Sequence, residues 1–182
     1  MRKKNNASLI IPVNEHIRLR SWEYTDARSL AILANDKSIY DNLRDYFPFP
    51  YNERDAKSFI TSVISLQGNS LFWAIEYDGE LAGSIGAYFK SDIYRGLCEV
   101  GYWIGKPFRE KGIASHSIDA VVRYIFSFYK VNKIYAEVFS DNIASRMALK
   151  KAGFIEEACL KNHALKNGRE IDVVICSIFR KQ

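Results

Sequence analysis

The chain has 182 residues, 48% hydrophobic and 26% charged, with a formal net charge of +5. That is room for one domain with a substantial core and too little for two comfortable ones. No apolar run is long enough to cross a bilayer, and the basic start MRKKNNASLIIPVNEH lacks the longer apolar stretch of a secretion signal, so a cytoplasmic location is expected. The positive balance favours an anionic partner without separating nucleic acid from a phosphorylated cofactor or a ribosomal surface.

Residues 1–15 read as a basic N-terminal arm ahead of one domain over residues 16–182. His16 to Trp22 alternates and predicts a first strand. Thr25 and Asp26 can cap the helix DARSLAILAND, and SIYDNLRD predicts a second, short one. In YFPFPY, Tyr46 to Tyr51, two prolines break regular structure and the aromatics are too many for a plain linker. Asn52 caps the helix ERDAKSFITSVISLQ, which Gly68-Asn69 ends. Two β-rich runs around Asp78-Gly79 predict a hairpin. GLCEVGYWIG is a fourth strand, followed by the loop KPFREKGIAS and the helix Ile113–Phe128. KIYAEVFS is a fifth strand, and DNIASRMALKKAG is a helix that stops at Gly153. FIEEACLKNHAL and EIDVVICSIFRK, joined by Lys166-Asn167-Gly168, close the chain as a second hairpin. This order predicts a mixed α/β layer fold with a β–α–β unit near its middle. Cys98, Cys159 and Cys176 are far apart and without metal-ligand spacing, so they read as buried free thiols and no metal is expected.

The loop between the fourth strand and its helix carries the first chemistry. A helix start leaves backbone N–H groups unpaired and partially positive. Gly112 lets an anion approach the main chain, and Arg109 and Lys111 add charge. Together these predict a phosphate cradle; the plainer alternative is a solvated basic turn. Neither the GxxxxGK[ST] loop nor a GxGxxG after the first strand is present.

The cradle reads Arg109-Glu-Lys-Gly112-Ile-Ala114, and a later helix carries Asn142, Ser145, Leu149 and Gly153-Phe154. With IRLRSWEYTDA, EVGYWIG and NGREIDVVICSI in the same order, nearly the whole chain resembles the GNAT superfamily of acetyltransferases, and GYWIG with KNHALKNGREIDVVICSI resembles its RimJ/RimL branch. The resemblance implies a mostly antiparallel, seven-stranded mixed sheet flanked by four to five helices. It implies acetyl-CoA as co-substrate and direct transfer of acetyl to a primary amine, foremost the α-amino group of a ribosomal protein. The coenzyme's diphosphate would take amides between Arg109 and Ala114, including those of Glu110, Lys111 and Ile113, and its pantetheine arm would pair with Tyr102, Trp103 and Ile104. Asn142 and Ser145 would face that arm.

Many relatives place a tyrosine where Leu149 stands; leucine cannot donate, so Ser145, one turn earlier, is the candidate donor to the departing thiolate. Glu99 is the first candidate base, with His163 and Glu137 as others; the carboxylate that RimL-like relatives carry near His163 falls on Ala164 here. Tyr46, Phe49 and Tyr88, with Phe89 and Tyr94, are candidate walls of a substrate groove. A polyamine or other small amine is the alternative acceptor, with Asp41, Asp45, Glu53 and Asp55 as carboxylates that could collect it. A non-catalytic module that binds acetyl-CoA is a third reading. The expected partners are the coenzyme and the amine, without membrane or specific nucleic acid, and pairing of two copies as a homodimer stays open.

Overall fold

The computed structural model describes residues 10–65 and 70–181. Eight strands form one sheet: β1 Ile11–Pro12, β2 Ile17–Arg20, β3 Ser70–Tyr77, β4 Glu80–Phe89, β5 Leu97–Ile104, β6 Lys133–Phe139, β7 Ile155–Lys166 and β8 Arg169–Phe179, in the order β1-β2-β3-β4-β5-β6-β8-β7. Among the described residues only the β5–β6 pair is parallel, and the helix α4, Ile113–Phe128, makes that crossover. The remaining helices are α1 Ala27–Ala34, α2 Lys37–Tyr40, α3 Glu53–Ser65 and α5 Ile143–Lys151.

The sheet has one strand more than the resemblance implied. The Asn14 side chain accepts from the amides of His16 and Ile17, folding the chain back so that Ile11 pairs with Leu19. Part of the predicted basic arm is therefore sheet; residues 1–9 lie outside the described residues. Both hairpins turn as their sequences direct. Asp78-Gly79 and Asn167-Gly168 all have positive φ, the backbone a two-residue primed turn needs.

Helix boundaries differ in two places. Thr25 does not cap α1: a short 3-10 turn over Tyr24–Asp26 precedes it, and the Asp26 carboxylate accepts from the Glu23 amide and from Arg20. The helix expected over SIYDNLRD stops after one turn, because the Asn42 side chain donates to the Ser38 carbonyl and turns the chain away. Asn52 caps α3 as expected, accepting from Arg54 and Asp55 amides; the predicted stop at Gly68-Asn69 lies outside the described residues.

Two apolar layers sandwich the sheet. On one face α4 buries Ile113, Ile118, Val121 and Ile125 with Leu149 of α5 against Ile17, Trp73, Ile85 and Val100. On the other, α1 and α3 bury Leu30, Ala34, Ala56 and Ile60 against Ala74 and Leu81. Cys98 and Cys176 are buried, but Cys159 is exposed, because β7 is an edge strand.

Candidate active site

The site begins where two strands part. β5 and β6 pair only at Leu97–Lys133, Cys98–Ile134 and Glu99–Tyr135. Beyond that point β5 stays on β4, with Val100 opposite Ala87 and Ile104 opposite Gly83. β6 stays on β8, with Glu137 opposite Ile175. The β5 edge that faces β6 is thus left without a ladder partner from Val100 to Ile104, and an opening runs through the sheet.

On the α4–α5 face the opening widens into a cavity of about 480 Å³, lined among others by Tyr102, Ile104, Arg109, Gly112, Asn142 and Ser145. Pro107 opens a 3-10 turn over Lys106–Phe108, then Glu110 (φ +65) and Gly112 (φ +74) alternate with ordinary residues. Left-handed residues in such a loop turn amides toward one concave side. Gly112 sits at the N-cap of α4, so the amides of Ile113 and Ala114 begin a helix and have no carbonyl one turn back. The donors expected for a diphosphate are therefore present as main chain. The two cationic side chains expected beside them are engaged elsewhere. Arg109 donates to the Ile104 carbonyl (3.2 Å), the Ser38 hydroxyl (2.9 Å) and Asp36 (3.2 Å), bracing the loop on α2. Burial alone would raise the Asp36 carboxyl, but Ser38 and Arg109 hold it below its usual range. Lys111 lies over the Tyr77 ring, 4.9 Å from its centre.

Across the cavity, Asn142 caps α5 by accepting from the Ser145 amide at 3.1 Å. Leu149, one turn on, is fully buried. The Tyr102 hydroxyl lies 2.8 Å from Ser145 Oγ and donates to the Ser145 carbonyl at 3.1 Å. Burial pushes the Tyr102 phenol up to about 12, against the opposing pull of Ser145, so it keeps its proton at neutral pH. Tyr102 enters the sequence reading only through its backbone. The alternation of GYWI already sends its side chain to the opposite face from Gly101 and Trp103.

On the α1–α3 face lies a second, larger chamber of about 770 Å³. Glu99, Gly101 and Trp103 of β5 face it in register with Tyr88, Gly86 and Ser84 of β4. Glu99 is nearly buried; one of its oxygens accepts from Arg44 (2.5 Å) and the other from Lys90 (2.7 Å). The same Arg44 nitrogen donates to Glu137 at 3.1 Å, bridging the parting strands. His163 reaches the chamber from a bulge in β7, where residues 161–163 oppose Asp172 alone. Asp172 holds that bulge by accepting from Lys161 (2.7 Å) and the Asn162 amide (2.9 Å). Bulges re-aim side chains in this way beside active sites.

Tyr46 and Tyr88 line the chamber, and burial, with Tyr46 beside it, raises the Tyr88 phenol. Phe49 does not line it, but stacks on Tyr40 at 5.6 Å. Phe89 is on the opposite face against Tyr129, and Tyr94 is exposed on a loop. Phe47, Phe72 and Trp103 supply walls instead. The buried Lys166 binds Asp45 (2.6 Å) and covers the Tyr40 ring (3.5 Å to its centre), tying the last hairpin to the segment after α2. Of the four carboxylates that could collect a polyamine, Asp45 and Asp55 line the chamber and Asp41 and Glu53 do not; Asp41 is taken by Lys37 and Asn167, Asp45 by Lys166, Glu53 by Lys57, and Asp55 accepts from the Asn52 amide. No group of metal-ligating side chains occurs among the described residues, and no described helix is long and apolar enough to cross a membrane.

The two cavities share Val100 to Trp103, Glu137 and Phe139, so they meet at the strand parting. A ligand cradled at α4 and a ligand in the chamber would touch there.

Comparison with known proteins agrees with this geometry. The acetyltransferase (GNAT) domain model matches residues 16–155. The chain is 32% identical over 177 residues to the uncharacterized N-acetyltransferase YoaA of Bacillus subtilis (strain 168), covering 94% of this chain and 98% of that one. It is 22% identical over 166 residues to the ribosomal-protein-serine acetyltransferase of Escherichia coli (strain K12), covering 90% and 92%. Its fold matches RimL, a ribosomal L7/L12 alpha-N-protein acetyltransferase solved with coenzyme A, with a TM-score of 0.85 at 22% identity over 94% of this chain and 98% of that one. The parted strands, the glycine-capped start of α4 and the family match have one common reading: the chain belongs to the GNAT acetyltransferase family and is an acetyl-CoA-dependent N-acetyltransferase.

Proposed function

We propose that the chain transfers acetyl from acetyl-CoA to a primary amine, foremost the N-terminal α-amino group of a ribosomal protein. The observation that carries this reading is the meeting of two cavities, one on each face of the sheet, at the gap beyond Glu99 and Tyr135. The ribosomal acceptor is supported by the relatives named for that activity.

Bound acetyl-CoA supplies an acyl carbon activated as a thioester. The amides of Ile113 and Ala114 hold the diphosphate, and the open edge of Tyr102 to Ile104 pairs with the pantetheine arm as an added strand would. This fixes the position of the acyl carbon for an amine arriving from the chamber. A protein α-amino group has a pKa of roughly 7.7–8.0, so an appreciable fraction is already neutral near pH 7. The base therefore need not be strong; Glu99, Glu137 and His163 all line the amine's path. Ser145 Oγ donates to the departing thiolate, and Tyr102 orients that hydroxyl.

The test is acetylation of a panel containing peptides with ribosomal-protein N-termini, spermidine and small amines, read by mass. Acetylated peptide N-termini are expected. Spermidine as the sole product moves the assignment to the polyamine alternative. Acetyl-CoA binding without any product moves it to a binding module.

A further inference from the structure

The chamber floor is made by two facing glycines. Gly86 of β4 and Gly101 of β5 are direct cross-strand partners, and both line the chamber. Glycine within a strand weakens it and often marks a place where a ligand approaches the backbone. Protein packing requires one of the two: a Cβ on Gly86 would lie 2.9 Å from the Phe72 ring. A Cβ on Gly101 would meet only Tyr88, at 3.8 Å, an ordinary contact, and its backbone needs no positive φ. The bare floor at Gly101 is therefore space that this fold does not itself demand.

Aromatic side chains stand around that floor. Phe72 meets Tyr88 edge-on at 5.2 Å and Phe59 edge-on at 6.1 Å, and Phe47 meets Trp103 edge-on at 6.3 Å. All five are only partly buried and all line the chamber. Arg44, Lys90, Glu99 and Glu137 gather at the end next to the strand parting, while the remaining charged lining residues are Asp45, Asp55 and Lys166, with Lys166 binding Asp45. The chamber thus has a charged end for an amine and, two residues along β5, a flat apolar bed. Resting on the transferase reading above, we propose that the preferred acceptor carries an aromatic ring beside its amine, on the amine-bearing residue or the next. That ring lies on the Gly86–Gly101 floor, within the aromatic walls.

The experiment compares peptides of equal length beginning Ser-Phe, Phe-Ser and Ser-Ala, with wild type and Gly101→Val. Wild type is expected to favour a ring-bearing peptide by about tenfold or more in kcat/KM, as burial of a ring in an apolar site requires. Gly101→Val should bring that ratio close to one while melting like wild type. Equal kcat/KM for all three peptides in wild type, or a ratio unchanged in Gly101→Val, overturns the proposal. If no peptide is acetylated, the transferase reading fails for peptides and the floor is tested by binding. Phenylalaninamide should then quench tryptophan fluorescence saturably in wild type, weakly in Gly101→Val and not in Trp103→Phe; absence of saturable quenching in wild type overturns the proposal.

Discussion

The Tyr102 hydroxyl sits 2.8 Å from Ser145 Oγ, joining β5, which borders the gap, to the first turn of α5. When the phenol gives its proton to Ser145 Oγ, the serine proton is left available to a sulfur in the cavity. Ser145→Ala should lower kcat by roughly tenfold to a hundredfold, as removal of one donor to developing charge does. Tyr102→Phe should cost about three- to tenfold, the worth of one hydrogen bond. The double variant should fall no further than Ser145→Ala, because the two act through one hydroxyl. Steady-state kinetics on the four proteins checks this; additive losses would mean that Tyr102 acts independently of Ser145.

Gly112 tests the cradle. Its φ of +74 is strained for a β-branched residue, and a Cβ there would lie 3.3 Å from the His116 ring. Gly112→Val should cost about 1–2 kcal/mol of stability from the left-handed backbone and weaken acetyl-CoA binding at least about tenfold, because an anion can no longer approach the amides. Calorimetric titration measures the affinity. Unchanged binding in a folded variant would remove the main-chain cradle from the mechanism.

Arg44 places one nitrogen between Glu99 and Glu137, across the parting strands. It lines the chamber on the α1–α3 face and not the cavity on the α4–α5 face. Arg44→Gln should free Glu137 and one oxygen of Glu99, whose other oxygen stays on Lys90, toward an incoming cationic amine and lower its KM by about threefold or more, the scale of one charge-assisted hydrogen bond. Glu137→Gln should raise that KM. Acetyl-CoA KM should stay constant in Arg44→Gln. A shift in the coenzyme KM alone would assign Arg44 to the other side of the sheet.

Glu76 tests the scaffold beneath the site. It is buried on β3 between Arg18 and Arg20 of β2, at 2.6 and 2.7 Å. Burial alone would raise its carboxyl, but hydrogen bonds from the two arginines outweigh that and hold it below its usual range. A depressed carboxyl contributes stability that is present above its unfolded value, near pH 4.3 on the reference scale, and is lost as pH falls through the lower folded value. Glu76→Gln should cost about 2 kcal/mol at neutral pH, the scale of a lost charge-assisted hydrogen bond, since Arg20 keeps Asp26 as a partner. The difference in Tm between variant and wild type should shrink below about pH 4. A difference that stays constant down to pH 2 would mean that the carboxylate charge contributes nothing.

Short-range chemistry was legible along the chain. The Asp78-Gly79 and Asn167-Gly168 turns, the Asn52 and Asn142 caps and the Gly112 start of α4 each depend on a few adjacent residues, and the structure has them where the sequence puts them. Boundaries were less legible where a side chain competed with the helix, as Asn42 does when it takes the Ser38 carbonyl and releases Arg44 toward the chamber. The exposure of Cys159 was hidden for a different reason: an apolar strand reads the same whether it lies inside the sheet or at its edge.

Alone, the sequence determined the periodicities, turns and caps, and with them a mixed sheet whose central helix starts at Gly112, because these are properties of neighbouring residues. Only the tertiary structure decided which distant side chains meet. It set Tyr102 on Ser145 across 43 positions and Arg44 on Glu99 across 55, and it turned Phe49 away from the chamber while Phe47 and Trp103 walled it. Such contacts depend on strand order and on the point where β5 and β6 part, which no local pattern encodes.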